Sequence, residues 1–271
     1  MSESIKFAGN LQGYAVLVTG GGTGIGAGCA AALAADGAAV TICGRRPEVL
    51  EDAARRIGEA ADFGGSVQVI TGDVTNEEDV RTIVARSLEP TGRLNGCIAN
   101  AGGGGMLSGY EDMDTDEFLR VMHLNVLGTM LCVKHTLGHM IAAGGGSFVG
   151  MSSLAGHITH PWFGAYPVSK AGIEAMMRNA ADENGPHGVR FNAIRPGFVA
   201  TEMMDMIPRD SEVYQSYIDN TPMGDVAHPE DVGQLARFLI GPESRWITGQ
   251  CINVDGGHCL RRGPDFTPFK G

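Results

Sequence analysis

The sequence predicts an α/β protein built on a doubly wound parallel sheet of about seven strands with helices on both faces. Short runs rich in β-branched and apolar residues alternate with longer alanine-rich or amphipathic stretches, the pattern of β-α units whose strands are covered on both sides. The first such run passes straight into a glycine-rich turn and then a helical stretch. The chain has 271 residues, 43% of them hydrophobic, enough for one substantial core. No segment has the composition of a linker, so a single domain over 1–271 is expected.

The elements follow in order. Ala15 to Thr19 is the first strand, and Gly26 to Ala35 is the helix beyond its glycine-rich turn. Ala39 to Cys43 and the amphipathic Glu48 to Glu59 form the second unit, Val67 to Thr71 and Glu77 to Ser87 the third. Gly96 to Ala99 precedes a long helix over Asp116 to Met140, and Gly146 to Gly150 precedes one over Ala165 to Asn184. Val189 to Ile194, the helix Pro229 to Ile240 and Cys251 to Val254 complete the series. Right-handed crossovers then give a Rossmann-like arrangement with ligands at the carboxyl ends of the strands. A C-terminal tail over 258–271 is polar beyond Arg261 and carries two prolines, as a disordered end or an arm on a neighbouring subunit would.

Composition narrows the function. The formal net charge is −11 with no lysine or arginine stripe, which argues against a nucleic-acid partner. No apolar run approaches the ~20 residues that cross a bilayer, and Met1 to Gly13 has neither a basic start nor an apolar signal core. A soluble cytoplasmic protein without a membrane partner is expected. The six cysteines, at 29, 43, 97, 132, 251 and 259, show no Cys-x-x-Cys spacing and read as reduced core thiols. His135 and His139 are four apart, but Thr136 stands where a zinc-protease motif needs glutamate, so no metal site is expected.

Two motifs carry chemistry. Gly20-Gly21-Gly22-Thr23-Gly24-Ile25-Gly26 lies between strand and helix, so backbone N–H groups and the helix amino end can meet a pyrophosphate. Its Gly-x-x-x-Gly-x-Gly spacing differs from the usual Gly-x-Gly-x-x-Gly, and a glycine-rich turn without a ligand is the alternative. The 41 glycines of the chain suit tight turns and backbone pressed against a ligand. Tyr166 and Lys170, at i and i+4 on a helix, share one face. A cation beside a phenol whose free pKa is ~10 favours the phenolate and makes tyrosine a usable proton donor and acceptor. Alone, such a pair reads more often as a solvated tyrosine than as a catalytic one.

With these motifs in order, the chain resembles a single-domain short-chain dehydrogenase/reductase from about Thr19 to Gly257. Asp73-Val74, Asn100-Ala101-Gly102, Asn125, Ser153, the Tyr166/Lys170 pair, and Pro196-Gly197 with Val199 and Thr201 stand in the family's sequence. The resemblance implies that Asp73-Val74 lies at the adenine and that Pro196-Gly197, Val199 and Thr201 contact the nicotinamide end. It implies that Tyr166 exchanges the proton, Ser153 binds the substrate oxygen, and Lys170 lowers the tyrosine pKa and holds the nicotinamide ribose. Asn125 would hold a water linking Lys170 to solvent, or simply satisfy helix backbone.

The cofactor choice falls after the second strand, where an acidic residue would bind the ribose hydroxyls of NAD. Here stands Gly44, followed by Arg45 and Arg46, which suit the 2′-phosphate of NADP. NADP is expected, with NAD the alternative. Thr23 occupies a place where NADP-preferring relatives often carry a basic residue, and the two arginines also read as a solvated helix start beside Glu48. A lid over 202–226, with Met203, Met204, Met206, Ile207, Tyr214, Tyr217 and Met223, suggests a small hydrophobic substrate, although such a stripe packs equally well on core. His157, His160 and Trp162 are candidates for the pocket wall, and Gly102 to Gly105 for space beside the nicotinamide. The expected reaction is hydride transfer between NADP(H) and a hydrophobic secondary alcohol or ketone. An NAD-dependent alcohol dehydrogenase, an enoyl-thioester reductase and a non-catalytic nucleotide sensor are the alternatives. The resemblance also implies a homo-oligomer, a tetramer formed partly through the two long helices.

Overall fold

The computed structural model describes residues 8–261 and 267–269, without the side chains of Met203, Asp205 and Thr267. Residues 1–7 of the start, where no signal core is expected, lie outside the described residues, as do 262–266, 270 and 271 of the expected tail. Seven strands form the sheet: β1 (Ala15–Thr19), β2 (Ala39–Gly44), β3 (Ser66–Thr71), β4 (Gly96–Ala99), β5 (Gly146–Met151), β6 (Val189–Pro196) and β7 (Cys251–Val254). Their order is β3-β2-β1-β4-β5-β6-β7 and every pairing is parallel. The chain reverses its direction of travel across the sheet between β1 and β4, the switch point at which such sheets open a crevice.

The described residues form eight α-helices, of which α1, α2, α3, α5, α6 and α8 pack on the sheet: α1 (Gly24–Ala35), α2 (Pro47–Glu59), α3 (Glu77–Leu88), α4 (Thr115–Met122), α5 (Gly128–Ala142), α6 (Tyr166–Asn184), α7 (Glu212–Asn220) and α8 (Pro229–Ile240). The period-two alternation of a strand divides the core. Val16, Val18 and Ile42 pack with Leu33, Leu50 and Leu239 on the face of α1, α2 and α8. Leu17, Phe148 and Phe191 pack with Ile83, Leu131 and Met177 on the face of α3, α5 and α6. All six cysteines are free; Cys29, Cys43, Cys97 and Cys132 are buried. Among the described residues no helix is long and apolar enough to cross a membrane.

Helices α1 and α8 approach too closely for side chains between them. A Cβ on Gly28 would lie 2.5 Å from the Pro229 carbonyl oxygen, and one on Gly233 2.5 Å from that of Gly28. Beneath this contact Asp36, fully buried, accepts from Arg237 Nε at 2.6 Å and from the backbone N–H groups of Ala8, Gly9 and Asn10.

One expectation needs correction. The single helix expected over Asp116 to Met140 is interrupted by a π-helical turn at His123–Leu127, between α4 and α5. The widened turn carries Asn125, whose carbonyl accepts from Thr129 Oγ1 at 2.7 Å. Apolar periodicity reads a helical face and is blind to one such irregular turn.

Candidate active site

A cavity of about 1190 Å3 opens at the carboxyl ends of β1 to β6. Of the residues singled out in the sequence, Gly20, Thr23, Gly24, Ile25, Arg45, Arg46, Asp73, Val74, Asn100, Ala101, Gly102, Ser153, Tyr166, Lys170, Pro196, Gly197, Val199 and Thr201 line it. Gly26 and Asn125 stand behind its wall.

The glycine loop is shaped by its neighbours before any ligand is considered. Gly20 has φ +63°, and a Cβ there would meet Ala101 Cα and Asn100 Nδ2 at 3.0 Å. A Cβ on Gly26 would lie 2.1 Å from the Gly20 carbonyl oxygen, so this glycine makes room for the loop itself. Asn100 closes the loop from β4, its Nδ2 donating to the carbonyls of Thr19 and Gly20 at 3.1 Å. Thr19 Oγ1 accepts the N–H groups of Asn100 and Ala101, both at 3.0 Å. The amino end of α1 meets the cavity with no side-chain cap from Thr23 and no acidic residue in its first turn, whereas α3, α4 and α7 are capped by Asn76, Asp114 and Ser211. Uncapped N–H groups at the positive end of a helix suit a pyrophosphate, and the cavity fits the dinucleotide that carries it.

At the end of the cavity near β2 and β3, Gly44 leaves Arg45 and Arg46 as the charged side chains after β2. Both arginines are exposed, and Arg46 Nη2 lies 4.0 Å from Glu202 at the start of the lid segment. Asp73 is partly committed, since one carboxylate oxygen accepts Thr75 N and Thr75 Oγ1 at 2.9 and 2.8 Å.

At the other end, Ser153, Tyr166 and Lys170 come together. Tyr166 begins α6, and the Lys170 ammonium lies 5.4 Å from its ring centre. Lys170 is buried, donates to the Met151 carbonyl at 2.9 Å, and is pulled down to about 8 by desolvation. Burial pushes the Tyr166 phenol up, and a hydrogen bond with the Ser153 side chain opposes that rise. The expectation from sequence is a phenol drawn down by Lys170; the phenol is instead raised, because burial disfavours its charged form. Ser152 is not equivalent to Ser153: its hydroxyl is buried against Glu174 Oε1 at 2.8 Å and the Lys170 carbonyl at 3.1 Å. Glu174, one turn beyond Lys170, is also held by Arg195 Nε at 2.6 Å.

Asn125 bonds twice to Gly103, Oδ1 accepting its N–H at 2.9 Å and Nδ2 donating to its carbonyl at 3.0 Å. Nδ2 also donates to Ser169 Oγ at 2.9 Å, and that hydroxyl donates to the Tyr166 carbonyl at 2.7 Å. The glycines at 102–105 are thereby tied to α6, and Arg120 Nη2 adds a bond to the Gly104 carbonyl.

The remaining wall is apolar and aromatic. Phe163 packs on Tyr166 with ring centres 5.0 Å apart, and Phe198 stacks on Tyr217 at 4.2 Å. Met204, Met206 and Ile207 of the lid segment line the cavity; the Met203 side chain, also expected there, lies outside the described residues. Tyr214 packs on Phe198, and Met223 is exposed. His160, buried and pulled down to about 4 by desolvation, lines the wall; Trp162 lines a neighbouring cavity and His157 is exposed. Sequence reasoning did not single out Phe163, Phe198 or Phe269, which also line the cavity. Adjacency to Tyr166 and to Pro196-Gly197 could have pointed to the first two; nothing local pointed to Phe269. Among the described residues no group of histidines, cysteines and carboxylates could hold a metal ion.

Known proteins resemble this chain over most of its length. The sequence model of a family described as enoyl-(acyl carrier protein) reductase matches residues 20–258. The cis-4-hydroxycyclohexanecarboxylate dehydrogenase of Sinomonas cyclohexanicum is 34% identical over 89% of this chain and 95% of its own. The 2,5-dichloro-2,5-cyclohexadiene-1,4-diol dehydrogenase of Sphingobium indicum is 32% identical over 92% of this chain and 98% of its own. The solved structure of a short-chain type dehydrogenase/reductase from Mycobacterium ulcerans superposes with a TM-score of 0.93 at 42% identity, covering 98% of this chain and 95% of that one.

Proposed function

The chain belongs to the short-chain dehydrogenase/reductase family, and on that premise we propose that it interconverts a small hydrophobic cyclic secondary alcohol and its ketone, using NADP(H). The observation that carries this reading is the hydrogen-bonded Ser153–Tyr166 pair beside Lys170 in an otherwise apolar, aromatic wall. The hydroxylated six-membered rings in the names of two relatives support the cyclic substrate.

When bound, the nicotinamide supplies or accepts the hydride at the carbinol carbon. Tyr166 Oη gives a proton to the carbonyl oxygen in reduction and takes it from the hydroxyl in oxidation. Ser153 Oγ donates to the same oxygen, where negative charge develops, and its bond to Tyr166 keeps the two hydroxyls aimed at one point. The Lys170 ammonium offsets the charge left on the phenolate and binds the ribose hydroxyls of the cofactor. Asn125 is a positioning residue: its side chain fixes Gly103 to α6, so a water in the proton path would rest on its carbonyl oxygen. Two hydroxyls converging on one oxygen favour carbonyl chemistry over the double-bond reduction in the matched family's description. Arg45 and Arg46, with no carboxylate at Gly44, support the 2′-phosphate. We further propose that the whole chain acts as one domain and self-associates, as exposed Met130 and Val168 on α5 and α6 suggest.

The test is nicotinamide absorbance with NADPH and NADH in parallel, a series of cyclohexanones, and Tyr166→Phe as control. Turnover that is lost in the variant while cofactor binding persists supports the reading, and preference for NADPH supports the role of the arginines. Turnover that survives in Tyr166→Phe refutes the assignment of the proton donor.

A further inference from the structure

A second cavity of about 310 Å3 adjoins the first, sharing Gly105, Met106, Leu107, Glu117 and Phe269 as common wall. Its own lining includes Met113, Phe118, Val121 and Trp162, with Gly164 and Ala165 leading directly into Tyr166. A volume of this size is at the lower end of small-ligand pockets.

The wall is closely fitted. Trp162 has φ +64°, a conformation rare for a bulky residue. It is held there by a hydrogen bond from Ser108 N to its carbonyl at 2.9 Å. Its indole lies where Gly109 has no side chain, since a Cβ at 109 would fall 2.5 Å from the ring. Gly164, at φ +61°, has a similar constraint: a Cβ would lie 2.6 Å from the Met106 carbonyl oxygen. Backbone held in sparsely populated conformations by surrounding contacts concentrates at ligand sites.

Phe269, in the short 3-10 turn Thr267–Phe269 and 38% exposed, faces both cavities. We infer that the side cavity is a distal substrate subsite and that Phe269 is the partition that limits entry to it, setting the size of substrate accepted. The inference rests on the ketone/alcohol reading of the main site. The subsite takes a neutral apolar substituent. Its lining carries Met113, Phe118, Val121 and Trp162, while Asp112, Asp114 and Glu117 on the same lining would repel an anion.

The experiment compares cyclohexanone with 4-phenylcyclohexanone in wild type, Phe269→Ala and Phe269→Trp. Relative to cyclohexanone, kcat/KM for the phenyl ketone is expected to rise about tenfold or more in Phe269→Ala and to fall in Phe269→Trp, the scale of a few methylenes in an apolar pocket. Thermal unfolding of each variant is measured alongside. A second readout needs no turnover. The chain has two tryptophans, and Trp246 is 89% exposed, so Trp246→Phe leaves Trp162 as the sole reporter inside the subsite. With the oxidised cofactor bound, 4-phenylcyclohexanone should change Trp162 emission, at lower concentration in Phe269→Ala, and cyclohexanone should not. An unchanged ratio together with a Trp162 signal indifferent to Phe269 overturns the inference, as does an equal loss with both ketones. Absence of turnover with a Phe269-dependent Trp162 response keeps the subsite and refutes the proposed reaction instead.

Discussion

Replacing Lys170 by methionine should remove a pH dependence of stability that the wild-type chain carries. Lys170 is 4% exposed and its folded pKa is about 8, against ~10.4 in an unfolded chain. Between those values the unfolded state binds more protons than the native one, so this residue makes stability rise with pH. Below pH ~8 its ammonium is charged in both states, and burying it costs about 3 kcal/mol, at ~1.4 kcal/mol for each pH unit between the two values. Above pH ~10.4 that cost is gone. Four buried thiols act in the opposite sense. Cys29 and Cys132 are raised to about 12 by burial, and Cys43 and Cys97 are raised as well. Unfolding frees them to ionise, which lowers stability as pH climbs past ~8.5. The total curve therefore mixes both trends, and only the difference between wild type and Lys170→Met isolates the lysine. Urea unfolding at intervals from pH 7 to 10.5 supplies it. The difference should change by about 3 kcal/mol across the window, with the variant favoured at the low end. The Met151 carbonyl, left without its donor, offsets part of the variant's advantage by a constant amount, about 1–3 kcal/mol. Parallel curves for the two proteins would refute a desolvated ammonium at this site.

Arg195→Ala should destabilise by about 3 kcal/mol, lowering the melting temperature by roughly 6–12 °C, because it removes the buried partner of the Glu174 carboxylate and leaves it only Ser152 Oγ and the more distant Arg178. Joint replacement, Glu174→Leu with Arg195→Met, should restore most of that loss in the same melting experiment. Gly26→Ala places a Cβ 2.1 Å from the Gly20 carbonyl oxygen, and cofactor titration should show at least about a tenfold weaker complex. Asn125→Ala leaves both backbone groups of Gly103 without their partner, so kcat should fall together with about 1–3 kcal/mol of stability; an unaltered kcat would separate the glycine loop from Tyr166.

The seven strands were readable because the pattern that identifies them is local. Ala15–Thr19, Gly96–Ala99 and Cys251–Val254 end where their apolar runs end, and the others run a residue or two further, through Gly44, Ser66, Met151 and Arg195-Pro196, which join the ladder. Gly20, Ser153, Tyr166 and Lys170 were readable from spacing and order. Less local features were not. The π-helical turn presents Asn125 to Gly103, a contact across 22 positions that no local pattern carries. The upward shift of Tyr166 depends on what surrounds the phenol, and spacing carries only the neighbouring charge. Phe269 stands in a polar, proline-bearing stretch of sequence, and no local pattern marks it for the cavity wall it shares with Met106. Ser152 and Ser153 were distinguishable only by offset in sequence, whereas their hydrogen bonds separate them directly.

The contact between Gly28 and Gly233 sets a limit on the order in which the molecule can assemble. The helix that presents its amino end to the cavity sits on a helix about two hundred residues downstream, and both backbones give up side chains to meet. During synthesis β1, the loop and α1 are made about two hundred residues before α8, so this part of the seat of α1 arrives only after β6. The glycine loop is closed by Asn100 from β4, but the helix that follows it gains its glycine-to-glycine seat only when α8 has been made.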